Sequence, residues 1–141
     1  MEVKVVLDKG AFMPEKAHCT DAGFDLRTPI DITVKGGNHA FIDTGVHIEI
    51  PAGYVGMIKS KSGLNCKHNL VTEGVIDAGY TGSIGVKIYN HGREDYTFKA
   101  GDKITQLVII PIPFLSNNDL EIVEVLEETE RGDNGYGSTG K

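Results

Sequence analysis

In the stretch Gly74–Gly82 (GVIDAGYTG) a single carboxylate, Asp77, follows the apolar pair Val75 and Ile76, and an aromatic ring, Tyr80, comes three residues later. An acid and a ring on one tight turn can hold a flat polar molecule beside a general base. Gly79 and Gly82 offer the positive φ that a narrow hairpin needs. The same stretch also reads as a plain turn with a solvated acid, and a short motif does not choose between the two. A second carboxylate, Asp25, lies between Phe24 and Leu26 in what reads as a strand. Neighbours on a strand point to opposite faces, so Phe24 and Leu26 go inward while Asp25 faces a cleft or solvent. Gln106 is the polar intruder in the apolar run Ile104–Ile112. A buried amide needs partners, so Gln106 satisfies backbone groups or points at a ligand.

The end of the chain is a different material. After the acidic run Glu127–Glu130, residues Arg131–Gly140 hold four glycines, two hydroxyls, one ring and one guanidinium. Such a segment cannot offset its own ordering entropy and is mobile when free. It reads either as a frayed terminus or as an arm for a phosphate, since an arginine, hydroxyls and glycine backbone N–H groups are what a phosphate binds.

Several functions are disfavoured. A chain of 141 residues with 40% apolar composition is one domain with a real core. A net charge of −6 argues against a broad basic face for nucleic acid, so the partners of an anionic ligand must be local. Cys19 and Cys66 form no framework, and a reduced pair in a cytoplasmic protein is expected. The amino-terminal residues lack the signature of an export signal, and no apolar run is long enough to span a membrane. The five histidines have no paired ligand spacing, and no Walker loop, GxGxxG or nucleophile elbow is present.

The elements that must position these residues are short strands. Glycine is abundant, at 18 residues, and turn signals recur every few residues. Strands are expected over Glu2–Leu7, Phe24–Leu26, Ile30–Val34, His39–Asp43, Val46–Ile50, Tyr54–Lys59, Val71–Ile76, Ile84–Tyr89, Tyr96–Lys99 and Ile104–Ile112. Leu120–Leu126 reads as a final strand, ambiguous with helix, and Ser62–His68 is the place for a short helix. The near-continuous apolar run at Ile104–Ile112 needs cover on both faces, and in a small domain the second cover is often another subunit. The fold class is all-β, a sandwich or barrel.

Taken in order, Ala22–Leu26, Lys61–Leu64, Gly74–Tyr80, Gly101–Gln106 and Arg131–Gly140 resemble the five motifs of the trimeric deoxyuridine triphosphatase (dUTPase) family. The resemblance implies a jelly-roll-like β-barrel over residues 1–130, a carboxy-terminal arm over 131–141, and a homotrimer in which arms are exchanged and each active site draws on all three chains. It implies hydrolysis of dUTP to dUMP and pyrophosphate, which keeps uracil out of DNA and supplies dUMP for thymidylate synthesis. By the same resemblance, Asp77 is the base that activates a water for in-line attack on the α-phosphorus. The hairpin backbone at Gly74, Val75 and Ile76 reads the uracil edge, and Tyr80 packs on the deoxyribose where a 2′-hydroxyl would clash. Lys61, Ser62, Gly63 and Gln106 bind the substrate phosphates. Arg131, Ser138 and Thr139 close on the γ-phosphate while Tyr136 stacks over the base, and Gly137 also binds the substrate. Asp25 acts through water on a Mg²⁺ held mainly by the triphosphate.

The chain departs from the family pattern at five positions. Lys61 stands for the usual Arg, Ser60 for Pro, Gly79 for a second acid, Tyr136 for Phe and Asn134 for Gly. The related dCTP deaminases carry a catalytic Glu in the strand after the hairpin, where this chain has Lys87. A nucleotide-gated interaction protein on the same scaffold is the reading outside enzymes.

Overall fold

Period-two alternation of apolar and polar residues builds ten strands among the residues described, which in this computed structural model are 1–137 and 140. They are β1 (Val5–Leu7), β2 (Phe24–Arg27), β3 (Ile32–Val34), β4 (His39–Asp43), β5 (Val46–Ile48), β6 (Tyr54–Lys59), β7 (Leu70–Ile76), β8 (Gly85–Asn90), β9 (Tyr96–Phe98) and β10 (Lys103–Pro111). The helix α1 (Ser62–His68) occupies the place the sequence allows for it. It ends at Asn69, whose φ of 56° is the left-handed conformation that asparagine tolerates. Lys67 and His68 complement the dipole in its last turn.

Six strands form one antiparallel sheet in the order β2-β10-β6-β7-β8-β4, curled into a half barrel. Two smaller pairs, β1-β5 and β3-β9, are antiparallel too. The all-β expectation holds. Strand alternation decides what is buried: on β8, Val86, Ile88 and Asn90 point inward, while Lys87 and Tyr89 face out. The core gathers Leu26, Ile42, Ile58, Ile84, Ile88, Phe98, Ile104 and Leu107, all but fully buried. Asn90 is buried among them with its polar atoms satisfied. Its Nδ2 donates to the Val34 and Glu94 carbonyls at 3.0 and 2.8 Å, and its Oδ1 accepts from the Gly92 N–H at 2.9 Å.

Two expectations change. On β10, Ile104, Thr105 and Leu107 are buried, but the far end carries exposed Ile110 and, just beyond it, Ile112. Cover on both faces therefore reaches only part of the run within one chain. The expected final strand at Leu120–Leu126 does not form: these residues lie outside every strand, and Leu120, Ile122, Val125 and Leu126 are exposed. A strand needs a neighbour for its backbone groups, and no ladder within the described chain reaches past Pro111.

Leu26 is completely buried beside the site-bearing Asp25. Leu26→Ala is expected to cost about 2–5 kcal/mol of stability from lost burial and the cavity left behind. Urea unfolding at fixed protein concentration checks this.

Candidate functional site

Asp25 stands on β2 opposite Gln106 of β10, and Gln106 in turn stands opposite Lys59 of β6. This register brings residues from three stretches that are far apart in sequence onto one row. The Asp25 carboxylate is buried between two ammonium groups: Lys61 Nζ donates to Oδ1, and Lys103 Nζ lies 2.7 Å from Oδ2. Burial pushes the Asp25 carboxyl up, but the hydrogen bonds and charges of Lys103 and Lys61 override it and hold the group below the usual carboxylate range.

Gln106 donates from Nε2 to the Ser60 carbonyl at 3.1 Å, so the amide is anchored on backbone. Its carbonyl end lies against Gly23, where a Cβ would come within 2.7 Å of Oε1. A side chain there would have to displace the Gln106 amide. Ser60 Oγ donates to the Thr72 carbonyl at 3.1 Å and accepts from the Thr72 N–H at 3.0 Å, bracing β7. Below it, the buried hydroxyls of Thr72 and Thr105 are 2.6 Å apart, and Thr105 Oγ1 donates to the Lys59 carbonyl at 2.9 Å. Lys61 is thus delivered from a loop pinned on both sides. Ser62 and Gly63 follow it, exposed, at the start of α1.

Asp77 leaves the end of β7 and is exposed. The Tyr80 N–H donates to the Asp77 carbonyl at 3.1 Å, closing the turn, and Gly79 adopts φ +90°. Gly82 does not take a positive φ. It is needed because the Tyr80 ring lies where its side chain would be. Tyr80 Oη donates to the Ser83 carbonyl at 2.9 Å, which fixes the ring. Asp77, Tyr80 and Ser83 join Phe41, Val75 and Ile76 around a cavity of about 320 Å³. Phe41 leans into it across Gly85, where any side chain would collide with its ring. The arrangement puts a carboxylate and two rings on the wall of one open, largely apolar cavity.

The two groups of residues do not meet in one chain. Asp77 is four residues along β7 from Glu73, which closes the row Asp25–Gln106–Lys59–Glu73 three strand spacings away. That is roughly 13 Å along the strands and about 14 Å across the sheet. The cavities that Asp77 lines contain neither Asp25 nor Gln106. Arg131, Tyr136 and Gly137 lie in the exposed terminal segment, and Ser138 and Thr139 fall outside the described residues.

Known proteins resolve what this geometry belongs to. A dUTPase family model matches residues 9–140. The chain is 42% identical to the deoxyuridine 5′-triphosphate nucleotidohydrolase of Clostridium tetani, covering 96% of this chain and 94% of that one. It is 40% identical to the mouse protein of the same name, covering 97% and 83%. The chain belongs to the dUTPase family. Among solved structures, the dUTPase of Staphylococcus bacteriophage 80alpha with dUPNHPP bound superposes with a TM-score of 0.90 at 35% identity, covering 99% of both chains. A variant dUTPase of phage phi11 of S. aureus, in which a structural Mg(II) ion is coordinated, gives 0.81 at 33% identity, covering 91% of this chain and 100% of that one.

With the family established, its departures acquire physical reasons. Gly79 takes a left-handed backbone conformation that its lack of a side chain makes easy. Ser60, in place of Pro, uses its hydroxyl to brace Thr72. Lys61 meets Asp25 as a point charge where Arg would present a planar fork. Lys103 and Phe41 were not singled out from the sequence. Lys103 is visible only once the β2-β10 register is known, and Phe41 only once Gly85 lets its ring lie over the sheet. For a Mg²⁺, the described residues contain no group of three His, Cys, Asp or Glu side chains that could hold it. Asp25 has both oxygens engaged by Lys61 and Lys103, so a Mg²⁺ would have to be held mainly by phosphate oxygens, with Asp25 reaching it at most through water.

A carboxyl whose pKa is depressed by folding stabilises above its unfolded value and loses that contribution as pH falls through the folded one. Asp25→Asn is expected to lower stability by about 1–3 kcal/mol at pH 7, since hydrogen bonds to charged groups are lost. The gap to the parent protein should close as pH falls below the ordinary Asp range near 3.9. Paired urea titrations from pH 7 to 3 measure it, and a gap that stays constant with pH would contradict the ion-pair account.

Proposed function

We propose that the chain is a dUTP diphosphatase, hydrolysing dUTP to dUMP and pyrophosphate, and that it works as a homotrimer. The observation that carries the reading is Asp77 standing on the wall of the cavity it shares with Phe41, Val75, Ile76 and Tyr80. Uracil is flat and apolar on its faces, so a largely apolar cavity with bare backbone suits it. The backbone groups of Gly74, Val75 and Ile76 supply the edge contacts. The fixed Tyr80 ring excludes a 2′-hydroxyl and so selects deoxyribose. The names of the relatives and the dUTP analogue bound to the phage enzyme support this choice of substrate.

Asp77 takes the proton of the attacking water as the water adds in line to the α-phosphorus. Lys61, Ser62, Gly63 and Gln106 hold the phosphates, with Gln106 oriented by Ser60. With a triphosphate competing for Lys61, Asp25 Oδ1 would be the oxygen offered to the waters of a Mg²⁺ while Lys103 keeps Oδ2. When bound, that ion neutralises charge on the phosphate oxygens. Arg131, Ser138 and Thr139 close over the γ-phosphate, with Tyr136 over the base and Gly137 also binding the substrate, and residues 131–141 act as an arm on a barrel of residues 1–130.

The trimer reading is supported by distance. The Asp77 and Asp25 groups are too far apart in one chain to share a nucleotide, whereas neighbouring subunits can bring one of each together. The exposed apolar residues Ile112, Phe114, Leu115, Leu120, Ile122, Val125 and Leu126 give the extended segment a surface to bury on a neighbour. The product dUMP is the precursor of thymidylate, and removal of dUTP keeps uracil from DNA. Lys87 projects outward on β8 over the Tyr89 ring, so the deaminase chemistry has no carboxylate at that position.

Pyrophosphate release with Mg²⁺ should be selective for dUTP over dCTP, dTTP and UTP. Ammonia from dCTP, or tight dUTP binding without turnover, would overturn the assignment. Asp77→Asn should keep nucleotide binding and lower kcat by about 10²–10⁴-fold, the usual worth of a positioned base. Calorimetric titration with a non-hydrolysable dUTP analogue separates the two effects.

A further inference from the structure

The hairpin that carries Asp77 and Tyr80 is tied to the barrel at its base through Ile84. The Ile84 N–H donates to the Val46 carbonyl at 2.8 Å, and the Ile84 carbonyl accepts from the Thr44 N–H at 3.0 Å and from Thr44 Oγ1 at 2.7 Å. Farther out, at Thr81, the tie is a side chain. His47 on β5 places Nδ1 2.8 Å from the Thr81 carbonyl oxygen and Nε2 3.1 Å from Asp8 Oδ1. Asp8 is held in turn, its N–H donating to the Gly45 carbonyl at 2.8 Å and its carbonyl accepting from the Ala11 N–H at 3.0 Å. One imidazole therefore spans the turn after β1, strand β5 and the hairpin.

Both partners of this ring are acceptors. A carbonyl has no proton to give, and neither has an ionised carboxylate. Neutral imidazole carries one N–H and can satisfy one of them, leaving two lone pairs facing each other at the second. The imidazolium donates to both. The charged groups around it are Asp8, Asp43, Lys4 and Glu49. Asp43 is engaged by Ser83 Oγ and by the Gly45 N–H at 3.0 Å. Lys4 and Glu49 pair with each other at 3.3 Å and line with His47 and Thr81 a cavity of about 380 Å³. The ion pair of Lys4 and Glu49 is internally balanced, so the net local field is that of Asp8 and Asp43.

We propose that His47, as the imidazolium, is a positioning residue for the reaction: it clamps the Thr81 carbonyl against Asp8 and so sets where Asp77 and Tyr80 stand. The proposal rests on the reading of this hairpin as the site of base, sugar and attacking water. The bond to the Thr81 carbonyl, then the bond to Asp8, raise the basicity of His47 above the ordinary histidine range against an opposing effect of desolvation, and the charges of Asp8 and Asp43 add to the rise. A proton held more tightly in the docked state stabilises that state fully below the ordinary histidine value of about 6.5. The clamp is lost as pH rises through the higher value of the folded protein. Hairpin order and substrate affinity should fall together on that limb.

The test combines an NMR titration of the His47 ring, protection factors for the amides of Tyr80–Ser83, and steady-state dUTP kinetics, across pH 5.5–9. In the unmodified protein the ring should titrate above the usual histidine range, with hairpin protection falling and KM rising at the same midpoint. His47→Ala should lack this step, show weak hairpin protection at every pH, and lose roughly two- to tenfold in kcat/KM, the worth of one exposed hydrogen bond. His47→Gln, which keeps a donor without the charge, should recover part of the loss and show no step. Asp8→Asn should move the midpoint down. A ring that is neutral at pH 6, or hairpin protection unchanged in His47→Ala, overturns the proposal. Protection that follows the His47 titration in a protein without dUTP turnover upholds the clamp and removes the substrate reading instead.

Discussion

Strand β10 is hydrogen-bonded along both edges, to β2 on one side and to β6 on the other, and that double pairing is the constraint from which the Asp25 part of the candidate site follows. It aligns Asp25, Gln106 and Lys59 in one row although they come from widely separated stretches of chain. Side chains two apart on β10 face the same way, so the register that buries Leu107 also sets which way its neighbours point. A slip of one residue would turn the core face outward and carry Gln106 away from Ser60 at the same time. Core packing and site geometry are therefore protected by the same energy.

Electrostatics on that row are compact. The chain is acidic overall, yet Asp25 sits between Lys61 and Lys103, so the local field is positive where an anion would arrive. Two ammoniums against one carboxylate leave a surplus positive charge, and burial of Asp25 strengthens each contact by limiting water.

The hairpin obeys a different constraint, space. Gly79 is set by its backbone conformation, Gly82 by the Tyr80 ring and Gly85 by the Phe41 ring, so three glycines in seven residues serve three separate needs. The result is an open cavity with a carboxylate on its wall, on an element that projects from the sheet. Projecting elements are held by few contacts, which is why a single ring such as His47 matters to its placement.

The sequence by itself determined the all-β class, the position of nearly every strand, the short helix and the residues with chemical potential, because alternation, glycine turns and isolated polar residues in apolar runs are local signals. Family membership was legible from the five ordered motifs and was borne out. The final strand expected at Leu120–Leu126 was misread because an apolar alternating run signals a wish for a partner, and the pairing itself is not local. Only the tertiary structure decided that Lys103 joins Lys61 on Asp25, that Phe41 walls the cavity, and that Asp77 lies far from Asp25 within one chain. Each of these depends on strand register and on what a glycine leaves open, which no local stretch of sequence encodes. The Asp77 hairpin, read first as a turn with an acid and a ring, is sharpened by that structure into a cavity with a defined wall, a fixed ring and a tether.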